Sequence, residues 1–97
     1  MSLAFITGGS LGVSVQDLVI NPASVATITT AEQTFTLAGL KTTDFVVVSK
    51  PTLTAGLGIA GARVSAADTL AITFVNPTAG ALDAGSETYR VLILRPV

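Results

Sequence analysis

Thr69-Leu70-Ala71-Ile72-Thr73-Phe74-Val75 is the stretch that decides the fold. Leu70, Ile72 and Phe74 alternate with Thr69, Ala71 and Thr73, a period of two residues. Successive side chains of an extended chain point to opposite faces, so this stretch is a strand with one face in a core and one in water. Half-buried alternation of this kind belongs to antiparallel sheets. Just upstream, Ile59 to Ser65 is a second segment of strand length. Ala66-Ala67-Asp68 joins the two as a hairpin, with Asp68 as an Asx-type turn residue.

Outward from this hairpin, turn signals recur at short intervals: Thr7-Gly8-Gly9-Ser10, Asn21-Pro22, Ala38-Gly39, Pro51 to Gly58, Asn76-Pro77 and Asp83 to Ser86. Between them lie Val13–Ile20, Ser24–Thr30, Glu32–Leu37, Asp44–Lys50 and Glu87–Arg95. With the hairpin they make about seven strands. Phe35 and Leu37 share one face of their segment, and Thr34 and Thr36 the other. Such spacing predicts an all-β chain, a single-domain antiparallel β-sandwich or jelly-roll-like barrel over residues 1–97. Residues 1–12 are expected to form an N-terminal arm, flexible or in contact with a partner. Gly56 to Gly61 marks a bulge or a close backbone approach between chains.

Two segments depart from simple alternation. Asp44–Lys50 has Phe45, Val47 and Ser49 on one face, and Val46 and Val48 on the other. Glu87–Arg95 has Tyr89, Val91 and Ile93 on one face, and Arg90, Leu92 and Leu94 on the other. A strand apolar on both faces is buried on both. One small domain has one core, so the second face meets another subunit, or a loop or the N-terminal arm covers it. We adopt the subunit, and the expected interface residues are Val46, Val48, Arg90, Leu92 and Leu94.

Composition leads the same way. The chain is 49% hydrophobic and only 11% charged, where an average soluble domain has roughly 25% charged residues. A small domain has more surface per volume than a large one, so scarce charge implies covered surface. A membrane does not explain it, because the apolar runs Phe45–Val48 and Val91–Leu94 fall far short of the ~20 residues of a spanning helix. The length is also too small for a membrane barrel of eight long strands. Residues 1–7 do not read as a signal peptide, having no basic residue. Five basic and six acidic residues are scattered singly, leaving a net charge of −1. Nucleic acid, which rewards a basic stripe, is not an expected partner.

Chemistry has few supports. There is no histidine and no cysteine, which removes the commonest general base, the strongest nucleophile and the soft metal ligands. The isolated carboxylates form no local pair of the glycosidase kind. Asp83-Ala84-Gly85-Ser86-Glu87 has two acids in a glycine-containing loop. Calcium asks for six to eight oxygens, and turn-forming and solubilising roles account for both acids. Thr7-Gly8-Gly9-Ser10 and Gly56-Leu57-Gly58 match no phosphate-binding fingerprint. Catalytic, cofactor and metal residues are therefore expected to be none. Arg63 and Arg90 lie either on exposed strand faces or in pairs with Asp44, Asp68 or Glu87, within or between subunits.

The runs Leu40 to Pro51, Gly56 to Ile59 and Ala62 to Leu70, extended by Ile72 to Thr78 and Ser86 to Tyr89, resemble small proteins of bacteriophage structural modules. The resemblance spans roughly residues 32 to 95 and is one of overall pattern. It implies a trimeric, jelly-roll-like virion component. The function expected on that basis is a homo-oligomeric, non-enzymatic head decoration or cement protein, located in the virion after assembly in the host cytoplasm. Its partners are then further copies of itself and the major capsid protein or another virion protein. The alternative is a receptor- or carbohydrate-binding β module of a tail fibre, a role disfavoured by a single tyrosine, Tyr89, placed within a strand.

Overall fold

The computed structural model describes residues 9–97 and is built of antiparallel sheet. Six strands form in order: β1 (Leu11–Ile20), β2 (Thr29–Thr36), β3 (Phe45–Ser49), β4 (Gly58–Ala66), β5 (Thr69–Asn76) and β6 (Glu87–Pro96). They make two three-stranded sheets, β1-β6-β3 and β2-β5-β4. The all-β reading holds, while about seven strands become six. Ser24–Thr30 is not a strand. It contributes one bridge, Val25 to Leu82, and a turn in which Ile28 takes a φ of 48°. That backbone position lies outside the extended region, so strand pairing starts only at Thr29.

The expected hairpin is β4 and β5, closed through Ala67 and Asp68, with Asp68 at a φ of 60°. Asp68 also ties this hairpin to the turn after β2. Its Oδ1 accepts from the Gly39 N–H at 2.7 Å, its N–H donates to the Leu40 carbonyl at 3.0 Å, and its carbonyl accepts from Leu37. Strand β4 carries the bulge expected near Gly61, as a register shift between Ile59 and Gly61, and a second between Val64 and Ala66. Gly56 is approached closely by side chains of its own chain. At Gly56, with a φ of +83°, an added Cβ would stand 2.6 Å from Thr78 Cγ2. Of the expected N-terminal arm, residues 1–8 lie outside the described residues, and Leu11 and Gly12 belong to β1.

One core joins the sheets. Leu70, Ile72 and Phe74 come from β5, Tyr89, Val91 and Ile93 from β6, and Ile20 from β1. Val25, Leu37 and Leu40 enter from the connections. Asn76, fully buried at the end of β5, holds the following turn with all its polar atoms engaged. Its Nδ2 donates to the Val25 carbonyl at 3.0 Å and to Gly80 at 2.8 Å. Its Oδ1 accepts from the Thr78 N–H at 2.9 Å and the Thr78 hydroxyl at 2.7 Å. A buried amide so satisfied carries no desolvation penalty beyond its bonds.

Candidate interaction surface

Register and alternation assign every side chain of the β1-β6-β3 sheet to a face. The inward row of β3 is Val46 and Val48, packed against the core, opposite Ile93 and Val91 of β6. This corrects the expectation for Val46 and Val48, which do not face outward. The inward rows extend into charge at both ends, and each charge is paired. At one end Arg95 Nε and Nη2 donate to the two carboxylate oxygens of Asp44 at 2.8 and 2.7 Å. At the other, Lys50 Nζ lies 2.6 Å from a Glu87 carboxylate oxygen, both side chains almost buried. Charges that would mark a solvated face are instead the capped ends of the core.

These pairs shift the acids in the expected direction. The Arg95 guanidinium, opposed by burial and helped by the Lys41 N–H, holds the Asp44 carboxyl down to about 2. Lys50 and the Thr52 hydroxyl lower Glu87. Tyr89, fully buried beside this end, is pushed up to about 12 by burial and then by the Glu87 charge. Its hydroxyl has no hydrogen-bond partner among the described residues.

The opposite face of the same sheet carries the candidate site. Val13, Leu94 and Phe45 form one cross-strand row, and Val15, Leu92 and Val47 the next. Leu11 and Val19 extend the β1 edge of this face. Leu92 and Leu94 on the central strand are half-buried by their neighbours. Phe45 is 61% exposed, Val13 66% and Val15 57%. The two rows make one contiguous apolar patch bounded on one side by a polar row, the kind of exposed surface that marks an interaction site.

Beyond the apolar rows the face turns polar. Asp17, Arg90 and Ser49 make the third row, with Arg90 Nε 3.5 Å from an Asp17 oxygen and both side chains largely exposed. Such a pair contributes little by itself. Arg90 therefore pairs with Asp17, which lies directly opposite it in register, and not with Asp44, Asp68 or Glu87. Around it is a shallow notch of about 330 Å³ lined by Asp17, Ser49, Pro51, Thr88 and Arg90.

The other sheet is an internal control. Its outer face carries Glu32, Thr34, Thr36, Arg63 and Thr73, an ordinary solvated set. Arg63 makes two bonds of 2.9 Å to the Glu32 carboxylate, again a partner that was not expected. The asymmetry between two outer faces of one small domain is the main functional signal of the fold.

Of the expected interface residues, Arg90, Leu92 and Leu94 thus lie together on the outer face, and Val46 and Val48 lie behind it. Sequence reasoning missed Val13, Val15, Phe45 and Val47, although their alternation with Ser14, Gln16, Val46 and Val48 is plain in the chain. Asp83 and Glu87 do not converge: Asp83 Oδ1 accepts from the Gly85 N–H at 2.9 Å, while Glu87 turns to Lys50. Among the described residues, no group of three or more metal-ligating side chains occurs, and no helix is long and apolar enough to cross a membrane. No known protein family, curated protein or solved structure matches the chain.

Proposed function

We propose that this chain is a structural assembly subunit whose β1-β6-β3 outer face is buried against further copies of itself or a neighbouring protein. The observation that carries this reading is the pair of apolar rows, Val13-Leu94-Phe45 and Val15-Leu92-Val47, fully formed yet outside the core. Leaving that area in water costs free energy that association recovers.

The finer reading is a homo-oligomeric, trimeric head decoration or cement protein of a bacteriophage, non-enzymatic and located in the virion. It is supported by the resemblance over residues 32 to 95 and by the low charge. A lattice protein works by covering apolar area at several contacts, and this face suits that task. Six strands in two small sheets are fewer than the eight of a jelly roll, so a compact sandwich is the architecture this reading adopts. The tail-fibre alternative has less support, since Tyr89 is fully buried and offers no stacking surface to a sugar.

Co-sedimentation with assembled phage heads tests the finer reading. Stoichiometric binding that Leu92→Glu abolishes is the expected result. Binding to host-surface glycans without any binding to heads would replace it with the tail-fibre role.

A further inference from the structure

The free edge of β1 differs from the other three sheet edges. Exposed edges are ordinarily blunted by shortness, charge, proline or bulges. Strand β3 has five residues and runs into Lys50-Pro51. Strand β4 carries Arg63 and two register shifts. Strand β2 carries Glu32 in its middle, bound to Arg63. Strand β1, Leu11–Ile20, has ten residues, an unbroken register with β6 and Asp17 as its one charge. It contains no proline, no lysine and no arginine.

Hydrogen-bond parity shows which groups that edge presents. The Val97 N–H donates to the Ser10 carbonyl at 2.9 Å, one step beyond the pair Leu11 and Pro96. Bonded and non-bonded pairs alternate along an antiparallel ladder. Even-numbered residues of β1 therefore bond to β6, and Pro96, which has no N–H, falls at a non-bonded position. The N–H and C=O groups of Leu11, Val13, Val15, Asp17 and Val19 then point to the free edge. No hydrogen bond from the described residues reaches them.

We infer that β1 is a strand-addition edge whose occupant is the β1 of a second copy, paired antiparallel across a two-fold axis. The strand is compatible with itself. Centred on Ser14 or on Val15, the pairing keeps the apolar odd-numbered side chains of both copies on one face. Either register sets Asp17 opposite Leu11 or Val13 of the second copy, so no like charges meet. The product is one six-stranded sheet, β3-β6-β1 continued by its symmetry mate. Its outer face joins the two apolar patches into one surface about twice as large. This inference rests on the assembly reading above but not on its trimeric form, which a two-fold pair does not build by itself. It supplies a dimer that presents a doubled docking face.

The test is amide hydrogen exchange by NMR on the full chain over a concentration series, with particle mass measured in parallel. Val15→Pro removes one edge donor, keeps an apolar side chain and leaves the bonds to β6 intact. Val13→Pro does the same should Val15→Pro not fold. In the wild type, the amides of Val13, Val15 and Asp17 are expected to be protected like those of Ser14 and Gln16, and that of Val19 as well if the pairing centres on Val15. In Val15→Pro, protection at Val13 and Asp17 should fall at least tenfold, with Ser14 and Gln16 unchanged and the mass halved. Odd-numbered amides that exchange freely while the mass stays above one chain would overturn the edge and leave the face reading standing. Protected odd-numbered amides in a species of single-chain mass would also overturn it, the edge then being covered by the chain itself. Free exchange in a species of single-chain mass would overturn both.

Discussion

Leu92 and Val47 stand directly opposite each other on β6 and β3, on the side of the sheet turned away from the core. One step along the ladder, earlier on β6 and later on β3, the arrangement inverts: Val48 and Val91 face inward, with Val91 fully buried. Strands β3 and β6 are therefore apolar on both faces for two different reasons. One face makes the domain, and the other stays exposed and is the face proposed above for a partner.

The two faces of β3 predict opposite consequences for similar changes. Val46→Glu places a carboxylate against the core and should destabilise the fold by about 2–4 kcal/mol, seen as a lower urea midpoint. Val47→Glu adds a charge on the exposed face and, measured at chain concentrations too low for association, should leave the unfolding free energy within about 0.5 kcal/mol of wild type. Equal losses from both substitutions would contradict the assignment of faces.

Asp44 gives the fold an acid sensitivity with a defined sign. Its carboxyl titrates at about 2 in the folded chain against an ordinary 3.8, because Arg95 and the Lys41 N–H favour the ionised form. A lowered folded pKa adds stability that is complete above the ordinary value and is lost as pH falls toward the folded one. Thermal unfolding should thus show a drop between pH 4 and pH 2 that Asp44→Asn makes shallower, with a lower melting temperature for the variant at pH 7. The remainder of the drop comes from Glu87 and Glu32, whose carboxyls Lys50 and Arg63 lower. A variant that keeps the wild-type slope would refute the role of this pair.

Tyr89 predicts a gain from a loss. Its hydroxyl is buried without a partner among the described residues, and a desolvated, unpaired hydroxyl costs about 1–3 kcal/mol. Tyr89→Phe keeps the ring in the core and should stabilise the fold by about 1 kcal/mol. Destabilisation of that size in chemical denaturation would mean the hydroxyl is satisfied after all.

Ile28 is the second position where substitution should help. A β-branched residue at a φ of 48° is strained, and its side chain is 75% exposed, so packing returns little. Ile28→Gly should raise stability by about 0.5–1 kcal/mol, relief of strain exceeding the entropy of the glycine. A lower denaturation midpoint would show that the isoleucine makes contacts worth more than its strain.

The sequence was most readable where local pattern and tertiary burial agree. Leu70, Ile72 and Phe74 alternate with small or hydroxylated residues, and all three lie in the core. Asp68 reads as a turn residue and occupies one. Legibility failed where charge sits at the end of a core row. Asp44-Val46-Val48-Lys50 reads as a face with solvated ends, yet Arg95 and Glu87 neutralise both ends and draw the row inward. Local sequence does not carry that information, because the partners lie 51 and 37 residues away in the chain. Strand β1 failed for the converse reason. Leu11, Val13 and Val15 alternate with Gly12, Ser14 and Gln16 as a core-facing set would, and the structure turns them outward. Only the register with β6 distinguishes the two cases.

The central claim is that the apolar outer face of β1-β6-β3 is covered in the working state. Sedimentation equilibrium of the purified chain, beside Leu92→Glu, measures it most directly. The account predicts a wild-type mass that is a multiple of the 9.8 kDa chain and a smaller particle for Leu92→Glu with its sheet spectrum retained. A wild-type mass of 9.8 kDa at every concentration, or a Leu92→Glu particle of unchanged mass, would contradict it.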